Sequence, residues 1–191
     1  MSEALAATWQ PATPDRLDDL SAVMNDNAVS RSCWCAYWYR ANVDYKAGWG
    51  RDNPITLTTL VKRGDEPGII AYVEGHPAAW VSVAPRRNFD RLNRSKNFAA
   101  IDELDAWAVN CFVVVKRFRR RGLMPTRARF AADFAFAKGA PAVEGYPLAP
   151  SEKTGPGDLF VGTVSAFLAA GYHEVARPLP RRPIMRLVAA P

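Results

Sequence analysis

Residues Trp107 to Gly139 read WAVNCFVVVKRFRRRGLMPTRARFAADFAFAKG, and this stretch predicts a strand, a tight basic turn and a helix in succession. Phe112, Val113, Val114 and Val115 form a β-branched and aromatic run bounded by charge, the pattern of a strand buried on both faces. The strand is expected to stop near Lys116. Beyond Arg119, Arg120, Arg121 and Gly122, apolar residues recur at helical spacing at Met124, Ala128, Ala131, Phe134 and Ala135. Pro125 fits that helix only in its first turn, where no hydrogen-bonded N–H is lost. Lys138 and Gly139 supply the stop, a cation at the carbonyl end followed by a residue that tolerates positive φ. Arginines and a glycine at a helix N-terminus suit phosphate, because free N–H groups, the helix dipole and guanidinium groups all favour an anion.

At these residues the chain resembles the GNAT superfamily of acyl-CoA-dependent N-acyltransferases. The motif of that superfamily is Arg or Gln, two residues, Gly, one residue, then Gly or Ala, placed after a strand and opening a helix. Arg119, Gly122 and Met124 occupy its three key positions, and Met124 departs from the small residue expected. The resemblance implies an α/β GNAT-like fold, a mixed twisted sheet flanked by helices on both faces, with residues 1–191 forming one domain. It also implies acetyl-CoA as cosubstrate, held by Phe112, Val113 and Val114 along the strand and by Arg119, Arg120, Arg121, Gly122, Leu123 and Met124 around the turn.

Length and composition agree with one core-forming domain: 191 residues, of which 49% are hydrophobic. No apolar run suits a signal peptide or a membrane span, so a cytoplasmic protein is expected. Three cysteines are not a disulfide framework. A net charge of +6 favours anionic partners, either nucleic acid or a ligand with several phosphates.

Earlier in the chain, Thr8 to Gln10 suggest a short strand, and Thr13-Pro14 opens a helix with Leu17, Leu20, Val23 and Met24 on one face. Ser32 to Arg40 is unusually aromatic. In one reading Trp34, Tyr37 and Trp38 line a pocket for an amine and hold its cation over their rings. In the other they pack into the core, and composition alone leaves both open. Cys33 and Cys35 lack zinc-knuckle spacing, so buried thiols are favoured and no metal is expected. Asn53-Pro54 begins a helix that stops at Gly64. Strands Gly68 to Val73 and Ala78 to Ala84 follow, joined by the turn Glu74 to Pro77, which places His76 at a turn tip. The basic segment from Pro85 to Lys96 reads as a solvated face, with the rim of an acceptor or CoA-phosphate site as its alternative.

Beyond Gly139 a strand from Ala142 to Tyr146, a loop from Ser151 to Asp158, a helix from Phe160 to Ala170 and two last strands, about Tyr172 to Arg177 and Ile184 to Val188 on either side of Pro178 to Pro183, are expected.

Acyl transfer from a thioester to an amine needs bound acyl-CoA, a neutral amine, a donor to the developing oxyanion and a proton for the leaving thiolate. By the resemblance, an N–H near Val113 or Val114 serves the oxyanion. Where many relatives carry a strand base, this chain has Trp107, Asn110, Cys111 and Phe112. Asp105, Glu103 or Glu144 acting through water are the candidate bases. Many relatives place a tyrosine as thiolate acid where Phe167 stands, which leaves Tyr146 as first substitute and Tyr172 as second.

The function implied is N-acetylation of a small-molecule primary amine by direct attack in a ternary complex. Two alternatives stay open. One is an acyl-CoA sensor of the same fold without transfer, and the other, ranked last, is a nucleic-acid-binding module using the basic turn. The resemblance also admits a homodimer.

Overall fold

The computed structural model describes residues 7–119, 123–151 and 154–190, without the side chains of 123–125 and 156. Arg120, Arg121 and Gly122 of the basic turn lie outside the described residues. One sheet of seven strands organises the chain, in the order β1-β2-β3-β4-β5-β7-β6. Its strands are β1 (Ala7–Pro11), β2 (Gly68–Val73), β3 (His76–Pro85), β4 (Trp107–Val114), β5 (Ala142–Gly145), β6 (His173–Leu179) and β7 (Arg182–Val188). All neighbours pair antiparallel except β4 and β5, which run parallel.

Short helices cover one face: α1 (Leu17–Met24), α2 (Ala28–Cys33), α3 (Ala36–Tyr39), α4 (Asn42–Ala47), α5 (Asn53–Arg63) and α6 (Asp90–Asn93). On the other face lie α7 (Leu123–Ala137) and α8 (Val164–Ala169). Strand alternation divides the core accordingly. Ile70, Trp80, Ala108, Cys111 and Val113 face the first layer, whereas Ile69, Val81, Val109 and Phe112 face α7 and α8. Buried Ala128, Ala131, Ala132 and Ala135 make the inner stripe of α7, and side chains this small let the helix lie close to the sheet. Pro125 is the third residue of α7, and the helix closes at Gly139 with φ +83°. Ala140 there donates to the Ala135 carbonyl over 3.0 Å.

Several boundaries differ from the sequence reading, among them the last hairpin, whose strands extend to Leu179 and from Arg182 into the expected connection. The β2–β3 turn is only Glu74-Gly75, both at positive φ (+52° and +76°), so His76 already pairs with Val73 in the ladder. The expected helix from Phe160 is a 3-10 turn over Pro156–Val161 and then α8, broken at Gly162 (φ +78°) and restarted where Thr163 caps Ala166. Thr13-Pro14 likewise opens a 3-10 turn over Pro14–Arg16 before α1 begins.

Candidate active site

The parallel pairing of β4 with β5 is short: Trp107, Ala108 and Val109 match Val143, Glu144 and Gly145, and there β5 ends. β4 continues to Val114, so its edge from Asn110 onward has no strand beside it. On the β3 side the register slips at the same level. Ser82 opposes Cys111 and Val83 opposes Val109, leaving Asn110 as the extra residue of a bulge. Asn110 and Cys111 therefore both face the short-helix layer, where they form part of the wall of a 790 Å³ cavity.

Ladder alternation settles which backbone groups face the open edge. Val115 N–H donates to the Ala78 carbonyl over 2.9 Å, so Val113 and Cys111 turn their polar groups toward β3. Phe112 and Val114 turn theirs away from it, and the Val114 carbonyl accepts from Arg119 Nε at 2.9 Å. Arg119 also reaches Asp26 Oδ2 at 3.4 Å, and the same oxygen accepts from Lys116 N–H at 2.8 Å. The Val113 side chain lies on the cavity wall. That of Phe112 does not: it packs edge-on against Phe167 on the α7 face, ring centroids 5.8 Å apart. Leu123 and Met124 open α7.

The aromatic segment makes the facing wall, and both sequence readings are realised in it. Tyr37 and Trp38 line the cavity, whereas Trp34 is buried in the core, so the expected three-aromatic wall loses Trp34. The division follows from a corner between α2 and α3, where Trp34 and Cys35 both adopt left-handed backbone (φ +44° and +52°). Such conformations cost about 1–3 kcal/mol for each residue without glycine's freedom. The corner is held by the buried Trp34 ring, by Trp80 Nε1 donating to Cys35 Sγ at 3.4 Å and by Asn53, whose Nδ2 donates to the Ser32 and Tyr45 carbonyls. Arg40 donates to the other end of the Asn53 amide at 3.0 Å.

Tyr37 is not an open seat for a substrate cation. The Arg91 guanidinium lies 3.8 Å above its ring and donates to its carbonyl. Cys33, Cys35 and Cys111 all border the cavity. The hydrogen bond with Cys35 and burial hold the Cys111 thiol well above its ordinary range, and burial raises Cys33, so both keep their protons. Among the described residues no three His, Cys, Asp or Glu side chains form a metal-binding group.

The predicted catalytic side chains stand elsewhere. Tyr146 and Glu144 do meet, but neither lines the cavity: the Tyr146 hydroxyl donates to Glu144 Oε2 at 2.8 Å, and Arg186 Nη2 reaches Glu144 Oε1 at 2.6 Å. Burial first, then the Glu144 charge, pushes the Tyr146 phenol well above its ordinary pKa. Asp105 is exposed in an ion pair with Arg87. Tyr172 donates to the Ala128 carbonyl at 3.0 Å beneath α7. Phe167 is fully buried.

Sequence reading passed over several wall residues. Arg91, Arg94 and Ser95 come from the segment Pro85 to Lys96, and their place on the cavity wall agrees with its alternative reading as a rim and not with its first reading as a solvated face. Asp158, Phe160 and Arg182 join from the loop after β5 and from the start of β7, and no local pattern marks them. Asn110 carried one signal, an amide in a run that is otherwise apolar.

This architecture is that of the GNAT acetyltransferases. No family model matches the chain, and no curated protein does. Among solved structures, a GNAT-family acetyltransferase from Listeria monocytogenes superposes with TM-score 0.60 at 11% identity, over 99% of this chain and 98% of that one. The PaiA N-acetyltransferase of Thermoplasma acidophilum in complex with coenzyme A gives TM-score 0.52 at 9% identity, covering 97% of this chain and 100% of that one. The aminoglycoside acetyltransferase AAC(6')-Ib, in complex with ribostamycin and coenzyme A, gives 0.55 at 11% identity over 96% and 93%. No helix among the described residues is long and apolar enough to cross a membrane.

Proposed function

We propose that the protein transfers an acetyl group from acetyl-CoA to a primary amine of a small molecule by direct attack in a ternary complex. The observation that carries this reading is the unpaired edge of β4 beyond Val109, which runs beside a cavity large enough for an acceptor. Acetyl-CoA supplies the activated thioester. Unpaired N–H and C=O groups on that edge suit the amides of a pantetheine arm, and Val113 offers it an apolar side. The N–H of Phe112 or Val114, aimed away from β3, is the donor we assign to the developing oxyanion. In this reading Arg119, Arg120, Arg121, Gly122, Leu123 and Met124 hold the diphosphate at the start of α7.

The attacking amine must lose a proton. Asp158 is the carboxylate on the described wall and becomes our candidate acceptor of it, through water, in place of Asp105 and Glu144, which are committed to arginines. The amine nitrogen then bonds to the acetyl carbon, the carbon–sulfur bond breaks, and the thiolate takes up a proton. Calorimetric titration with acetyl-CoA, repeated on Arg119→Glu, tests the reading. Saturable binding that the variant weakens, followed by thiol release with an amine, supports transfer. No binding by the wild type overturns it.

A second reading, binding of acyl-CoA without transfer, is favoured by Phe167, a buried ring without a hydroxyl. It predicts binding in that titration and no thiol release with any amine.

A further inference from the structure

The charge on the cavity wall goes beyond the choice of cosubstrate. Arg91, Arg94, Arg181 and Arg182 border the cavity, against the single carboxylate of Asp158 among the described residues. Among the described residues two of these arginines are incompletely paired. Arg91 stacks on Tyr37 and donates through Nε, while its buried Nη2 has no hydrogen-bond partner. Arg182 stacks 5.1 Å from Phe98 and donates through Nη2 to the Tyr146 carbonyl at 3.0 Å, while its buried Nε has none. Neither makes an ion pair among the described residues. On the same wall the Asn110 side chain is completely buried, and both its amide nitrogen and its oxygen lack partners among the described residues.

Leaving such groups unmatched is destabilising, more so where they are charged. Four of them on one wall read as a site built for a ligand's polar atoms. Arg182 sits beside Tyr146, the residue after the end of β5, and hence at the level of Asn110. Arg119, which donates to the Val114 carbonyl, belongs to the far end of β4, about 13 Å along the strand from Asn110 at roughly 3.3 Å per residue. Arg119 and Arg182 therefore serve different ends of the open edge. A polycationic acceptor would meet four guanidinium groups, and the aromatic face it could use is already covered by Arg91.

We propose that the acceptor is an anionic amine, one that carries a carboxylate or phosphate as well as its amino group. Arg91 and Arg182 bind the anionic oxygens and the Asn110 amide receives the amino end. Planar guanidinium forks with unpartnered N–H donors suit either oxyanion. This rests on the transfer reading for the role of the amine, whereas recognition of the anion does not.

The test is calorimetric titration of the full chain, in the presence of coenzyme A, with L-glutamate, aminomethylphosphonate and glucosamine 6-phosphate. Spermidine and ribostamycin serve as cationic probes. We expect saturable binding of at least one anionic probe, weaker at high salt, and none of the cations. The carboxylate and phosphate arms show which oxyanion is preferred. Arg91→Gln and Arg182→Gln should each weaken that binding about 10- to 100-fold, the range for hydrogen bonds to charged groups. Acetyl-CoA affinity should remain unchanged in both. Arg129→Gln, on the exposed side of α7 where Arg129 pairs with Asp133, is the control for general surface charge. Should Arg182→Gln fail to fold, Arg91→Gln on the short helix α6 carries the comparison. Binding of the cations in preference to the anions overturns the proposal, as does silence from every anionic probe or anion binding indifferent to both variants. Anion binding without acetyl-CoA binding would retain the anion site and remove the transfer reading.

Discussion

Tyr146 and Glu144 are hydrogen-bonded to each other over 2.8 Å at the end of β5, and the charge of Glu144 is balanced by Arg186, which also binds Asp102. Both residues are thereby bound into a buried network behind Phe98, whose ring lies 5.3 Å from that of Tyr146 and itself borders the cavity. Glu144→Ala would strip a buried arginine of its buried carboxylate partner and should cost about 3–5 kcal/mol in urea unfolding. Tyr146→Phe removes one hydrogen bond and should cost about 1 kcal/mol, with thiol release retained. Loss of thiol release in Tyr146→Phe with acetyl-CoA binding intact would instead make the phenol the thiolate acid.

Gly145 is required where β5 ends. A Cβ built there would lie 2.0 Å from Phe167 Cε1 and 2.4 Å from its Cζ. Gly145→Ala must displace a ring locked between Phe112 and Tyr172, and overpacking of this kind costs about 1–3 kcal/mol. The double variant Gly145→Ala, Phe167→Leu should recover part of that loss. Additive destabilisation in the double variant would mean that the ring and the glycine are not in contact.

Asn110 should trade stability against function. Its amide is buried against the cavity without partners, so Asn110→Val, β-branched and apolar, should raise the melting temperature, by the equivalent of about 1 kcal/mol. The same variant should lower kcat/KM for the acceptor about 10-fold or more while acetyl-CoA affinity holds. A less stable variant with unchanged kinetics would mark Asn110 as a structural residue.

Acid should act through Asp102. Its carboxyl is held below the ordinary range, first by the hydrogen bonds from Arg186 at 2.6 and 3.1 Å and then by the Leu104 N–H. A folded pKa below the unfolded value of about 3.9 contributes stability that is present above that value. The contribution is lost as pH falls through the lower folded pKa. Wild type and Asp102→Asn should therefore differ in melting temperature at neutral pH and converge below about pH 4. A difference that stays constant down to strong acid would dissociate Asp102 from the Arg186 pair.

The sequence by itself determined several elements: the apolar run of β4, the start of α7 compatible with Pro125, its stop at Gly139 and the end of α5 at Gly64. These are local matters, governed by side-chain period and by the backbone freedom or restriction of single residues. Tertiary structure decided the cavity. A one-residue slip between β3 and β4 turned Asn110 onto the wall, and a left-handed corner sent Trp34 inward while Tyr37 and Trp38 stayed at the site. Arg91 and Arg182, far apart in the chain, met at that wall only through packing. Glu144 and Tyr146 looked catalytic because they end a strand beside the open edge of β4. Their side chains point into a charge network completed by Asp102 and Arg186, which long-range folding alone brings together.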